Sequence, residues 1–230
     1  MRAAATSRNT LLNNRATVPT LMTPAILAGL TGVVQGARHA LEPDHVTAVA
    51  TVMVEAPSPR RGIFYAACWG LGHASMLLFV GGPLVVLRVE LPTLVTTILE
   101  IAVGLMLVYL GTGAFRRTSR ADAPTSSGPA HVRGRRPFAI GIVHGLAGSG
   151  ALAALIALGA PTVAAGLACL TLYAFGTVVG MVGLATAAGP LLARAGRLPR
   201  PATVIAKAAG IASIALGVVW TLRTISGALD

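Results

Sequence analysis

The stretch GARHALEPDHVTAVAT, residues 36 to 51, decides the fold. It sets two histidines, an aspartate, a glutamate, an arginine and a proline into a run otherwise suited to a lipid bilayer. Polar groups at that depth are costly and are usually retained for a function. Pro43 lacks a backbone N–H and discourages helical geometry at Glu42. The stretch therefore predicts a helix that breaks near residues 40 to 43. In an unbroken helix His39 and His45 would lie about 9 Å apart along the axis and on different faces. A break is what could bring them together. Pro43 suits the first turn of a new helix, which would put Asp44 and His45 beside that helix's N-terminus, where unpaired backbone donors favour an anion.

Composition bounds the rest. Of 230 residues 54% are hydrophobic and only 11% charged, against about 25% charged in an ordinary soluble domain. This is the composition of an integral membrane protein. The net charge of +11 raises nucleic-acid binding, but the arginines sit in short loops between apolar segments, where the positive-inside rule places them; no nucleic-acid partner is expected. Cys68 and Cys169 lie inside apolar segments and read as packing residues. A cleaved signal peptide is rejected, because cleavage would cut into the motif.

Six apolar segments stand out, 24–54, 63–87, 93–115, 138–158, 162–193 and 203–223, and about 20 residues span a bilayer. Strand-like alternation is lacking, so the expected architecture is an all-α bundle of six transmembrane helices. Eleven arginines in the loops after segments one, three and five, with Lys207 just beyond the last of these loops, make twelve; five (Arg2, Arg8, Arg15, Arg88 and Arg223) fall on the other side. That bias puts both termini outside a cell membrane.

A repeat crosses the middle of the chain. GARHAL at 36–41 matches GIVHGL at 141–146, Trp69-Gly70 matches Phe175-Gly176, Gly82-Pro83-Leu84 matches Gly189-Pro190-Leu191, and Gly104 and Gly111 match Gly210 and Gly217, all at offsets of 105 to 107. Three spans per half would make the halves inverted copies, the plan of a transporter with a midplane site between interrupted helices. The expected divisions are a polar segment 1–23, a first three-helix repeat 24–115, a basic cytoplasmic linker 116–137 and a second repeat 138–230. The first and fourth helices are expected to be interrupted, the fourth at HGLAGSG, 144–150. His131 reads as a solvated linker histidine.

Chemistry concentrates in four histidines within apolar segments, His39, His45, His73 and His144, joined by Asp44. Imidazole suits nickel, cobalt, copper, zinc and iron. Asp44 is read as a ligand in preference to a local cap, and His73 in WGLGHASM as a ligand or pathway group in preference to a helix-packing histidine. His144 stays open between ligand and structural histidine. Glu42 is expected to pair with Arg38, and Glu100 with Lys207. No nucleotide-binding loop, His-Glu-x-x-His or Gly-x-Ser-x-Gly appears, so no enzyme activity and no cofactor are expected.

RHALEPDH resembles the signature of the nickel/cobalt transporter (NiCoT, or NicO) family. LGHAS around His73 resembles the glycine-flanked histidine motif of that family's next helix, and HGLAGSGAL resembles its shorter, six-helix, urease-accessory-type branch. The resemblance implies a permease for nickel or cobalt with His39, Asp44, His45 and His73 in the metal path. The acidic motifs of longer members' later helices are not evident here, so the metal and the direction stay open. The partners expected are the cation as substrate and the bilayer, with a homo-oligomer left open. A transporter of another small solute is the second reading. A thiol electron carrier is the third; it lacks a Cys-x-x-Cys pair.

Overall fold

Helix is the only regular secondary structure in the described residues, 29–56, 58–119, 130–195 and 201–228 of a computed structural model. α1 occupies 29–39 of the described chain. It is followed by α2 Pro43–Glu55, α3 Pro59–Leu87, α4 Thr93–Ser119, α5 Ala130–Gly159, α6 Val163–Ala195 and α7 Pro201–Gly227. The polar segment 1–23 lies outside the described residues, as do residues 120–129 of the expected linker; α4 and α5 extend into both ends of that linker. His131 falls within α5 rather than in a loop, and its side chain is not among those described.

The break occurs where Pro43 predicts it. α1 tightens at its end, with Leu41 N–H donating to the Arg38 carbonyl at 2.9 Å and Glu42 N–H to that of His39 at 3.0 Å. Glu42 is extended (φ −66°, ψ 151°) and Pro43 opens α2. The second expected interruption is absent, because α5 is helical through residues 144–150. Glycine permits other backbone shapes without requiring them. Unlike Pro43, none of these residues removes an N–H from the ladder, and among the described residues no glycine has a positive φ.

Gly141 and Gly145 of α5 serve close approach instead. A Cβ on Gly141 would stand 2.0 Å from the Trp69 carbonyl oxygen and 2.9 Å from His73 N; one on Gly145 would meet the His73 carbonyl at 2.6 Å. α1 and α6 repeat the arrangement, with a Gly36 Cβ meeting the Tyr173 carbonyl at 2.0 Å and Thr177 N at 2.8 Å. In α4 and α7 the contacts are reciprocal. Gly104 abuts the Gly217 carbonyl and Gly217 that of Gly104, while Gly111 and Gly210 do the same. Between those pairs Ser213 Oγ donates to the Leu107 carbonyl at 2.7 Å. Small residues that let backbones close in this way are a membrane device.

This packing corrects the match of Trp69 with Phe175. Trp69 is fully buried and Phe175 is 59% exposed. The residue packed on α1 as Trp69 is packed on α5 is Tyr173, an offset of 104, and Thr177 takes the place of His73.

Among the described residues, four helices are long and apolar enough to cross a membrane, over Pro59–Leu87, Thr93–Arg116, Val163–Pro190 and Val204–Gly227. Large apolar side chains such as Phe79, Leu94 and Leu155 face outward, as a lipid environment requires. The protein is a multi-pass helical membrane protein.

One test of the packing contrasts two glycines. Gly141→Ala forces α5 away from α3 and is expected to destabilise by about 1–3 kcal/mol. Gly82→Ala, with nothing within 4 Å of its added carbon, leaves the thermal midpoint in detergent unchanged. Equal midpoints for the two variants would count against the close α3–α5 contact.

Candidate metal centre

The break in the first helix delivers three ligand-type side chains to one place. His39 ends α1, and Asp44 and His45 lie in the first turn of α2. α3 contributes His73 at the level of its contact with Gly141 and Gly145, and α5 contributes His144. His45 and His73 are fully buried, His144 is 2% exposed and Asp44 5%.

The four imidazoles form one cluster. Ring centroids are 4.4 Å apart for His39 and His45, 5.1 Å for His45 and His73, 4.2 Å for His45 and His144, and 5.7 Å for His73 and His144. Asp44 Oδ2 lies 2.9 Å from His144 Nε2, a buried hydrogen bond. Its Oδ1 lies 3.1 Å from His45 Nδ1. That second approach is an electrostatic contact without hydrogen-bond alignment. Asp44 is thus turned to the cluster, away from the capping role.

Polar satisfaction is poor at the centre. Both ring nitrogens of His45, both of His73 and Nδ1 of His144 are buried without a hydrogen-bond partner among the described residues. Leaving such a group unsatisfied costs about 1–3 kcal/mol, so this many at one point is unexpected of a merely structural polar core. Among the described residues two ligand sets have donor atoms within 4.8 Å of one another, His39–His45–His73 and Asp44–His45–His144. Donors each about 2.0–2.1 Å from a shared cation stand at most about 4.2 Å from one another, a separation that falls inside the 4.8 Å limit of both sets.

Two expected ion pairs are not formed. Glu42 meets His39 Nδ1 at 3.0 Å, while Arg38 is exposed. Residues four apart face each other only on a continuous helix, and the turn at 40–42 removes that geometry. Glu100 accepts from Thr224 Oγ1 at 3.1 Å, whereas Lys207 Nζ sits 5.9 Å from the centre of the Phe115 ring. α4 and α7 cross near Leu107 and Ser213, so repeat-related residues away from that point lie at opposite ends of the pair. Cys68 and Cys169 are both free thiols.

The structure adds two aromatic residues that ligand chemistry does not pick out. Trp69 lies 5.7 Å from His45 and 5.4 Å from His144, and Tyr173 lies 5.6 Å from His39. The sequence signal for Trp69 is its position four residues before His73, on one helical face.

No protein-family model matches the chain, and no solved structure does. The chain is 32% identical to the urease accessory protein UreH of Bacillus sp. (strain TB-90) over 169 residues, which cover 69% of this chain and 74% of that protein. It is 29% identical to the chloroplast protein FOR GROWTH AND FERTILITY 2 of Arabidopsis thaliana over 174 residues, 70% of this chain and 46% of that one. The chloroplast protein FOR GROWTH AND FERTILITY 1 of the same plant is 29% identical over 171 residues, again spanning 46% of its length. With that identity and coverage, the chain belongs to the family of the urease accessory protein UreH.

Proposed function

We propose that the protein is a membrane permease for a divalent transition-metal cation, nickel or cobalt, whose path runs through His39, Asp44, His45, His73 and His144. The observation that carries this is the buried cluster around one buried carboxylate, in which five ring nitrogens of His45, His73 and His144 have no hydrogen-bond partner among the described residues. Nitrogen-rich sites with a single carboxylate favour later first-row metals over magnesium or calcium. Membership in a urease accessory family agrees with the resemblance of RHALEPDH to the nickel/cobalt transporter signature and so favours nickel or cobalt among these. No ATP site is evident, and inward movement of a dication at 100 mV gains about 4.6 kcal/mol.

On this reading six spans form two inverted repeats in the plasma membrane with both termini outside. The paired glycine contacts of α1 on α6 with α5 on α3, and of α4 with α7, support that symmetry.

Uptake by proteoliposomes holding the full chain, screened over nickel, cobalt, zinc, manganese and iron, tests the proposal. His45→Ala is expected to abolish uptake of the preferred metal. Glu100→Gln, remote from the cluster, leaves it unchanged. Uptake undiminished in His45→Ala would sink the permease reading.

A further inference from the structure

The geometry points to two overlapping cation positions that share His45, between which the substrate is handed over. This inference rests on the permease reading above. The first position is His39, His45 and His73; the second is Asp44, His45 and His144.

Exposure orders them. The Glu42 side chain is 52% exposed and His39 14%, and the two are joined at 3.0 Å. The side chains of His45, His144 and Asp44 are only 1%, 3% and 8% exposed. A cation arriving from the Glu42 side therefore meets His39 before anything else in the cluster. The first position offers three imidazoles, which replace water with nitrogen donors and add no charge when neutral. The second supplies Asp44, the only buried acidic residue among those described, and with it a full negative charge.

His45 is the hinge of the arrangement. Its ring lies 4.4 Å from that of His39, 5.1 Å from His73 and 4.2 Å from His144, and neither of its nitrogens has a hydrogen-bond partner among the described residues. A ligand held in common lets the cation exchange the other two ligands without passing through a bare intermediate. It also means that the two positions are filled in turn, because both need the same side chain.

Cobalt(II) is the probe, since its visible absorption reports ligand type and geometry. Titrated into the purified full chain in detergent, it is expected to bind at one equivalent. His39→Gln with His73→Gln keeps one equivalent, now with the spectrum of a mixed nitrogen and carboxylate site. Asp44→Asn with His144→Gln also keeps one equivalent, with an all-nitrogen spectrum. Both double variants lose cobalt uptake in proteoliposomes at least a hundredfold, because each lacks one end of the hand-over. Should the variant carrying His73→Gln not fold, His39→Gln alone carries the same test, His39 being at the rim of the cluster.

Two equivalents bound by the unaltered chain would overturn the proposal in favour of independent sites. A helical, monodisperse double variant that binds no cobalt would overturn it in favour of one composite site, with the permease reading intact. An unaltered chain that neither binds nor transports any of the screened metals removes the permease reading itself.

Discussion

Asp44→Asn is expected to cut metal uptake at least a hundredfold while leaving the helical fold and its thermal midpoint nearly unchanged. The substitution keeps the shape and an oxygen that can face His144 Nε2, now at 2.9 Å, and removes the charge. At an effective dielectric of 20, opposite unit charges 4 Å apart attract by about 4 kcal/mol, and a dication doubles that. A hundredfold loss needs only about 2.8 kcal/mol, so the electrostatic term is ample even when discounted by half. Asp44→Ala differs in a way that checks the reasoning. It also removes a buried hydrogen bond to a charged group, worth about 1.5–3 kcal/mol, and should lower the midpoint as well. Uptake by Asp44→Asn within a few-fold of the unaltered protein would mean that the carboxylate is structural.

Trp69→Ala carries the largest expected loss of stability, about 3–5 kcal/mol for a fully buried aromatic ring. Trp69 is 0% exposed and its ring stacks at 24° on His45. Its removal leaves a cavity beside His45 and His144, and the imidazoles lose the wall that holds their spacing. Uptake should fall together with the thermal midpoint in detergent, and Trp69→Phe should restore most of both. Phe175→Ala is the informative comparison. Aligning the two halves by sequence pairs Phe175 with Trp69, but Phe175 is 59% exposed and its removal should shift the midpoint little. Similar losses for the two alanine variants would show that the packing register described here is wrong.

Sequence by itself determined that the chain is a helical membrane protein, that its first helix breaks before Pro43, and that His39, Asp44, His45, His73 and His144 are the groups capable of ligation. Each of these is local. Apolar runs specify spans, a missing N–H ends a helical ladder, and ligand chemistry belongs to the side chain. Tertiary structure alone decided which of those groups meet. It kept α5 continuous, with Gly145 inside the expected break used for close contact with α3. It took Glu42 from Arg38 to His39, since the turn rotates residues four apart out of register. It separated Glu100 from Lys207 by the antiparallel crossing of α4 and α7, and it set Tyr173 opposite Trp69. It also placed His144, undecided between two roles in the sequence, 2.9 Å from Asp44 across 100 residues of chain. Contacts of that kind depend on how closely two backbones approach and at what register, which no single helix encodes.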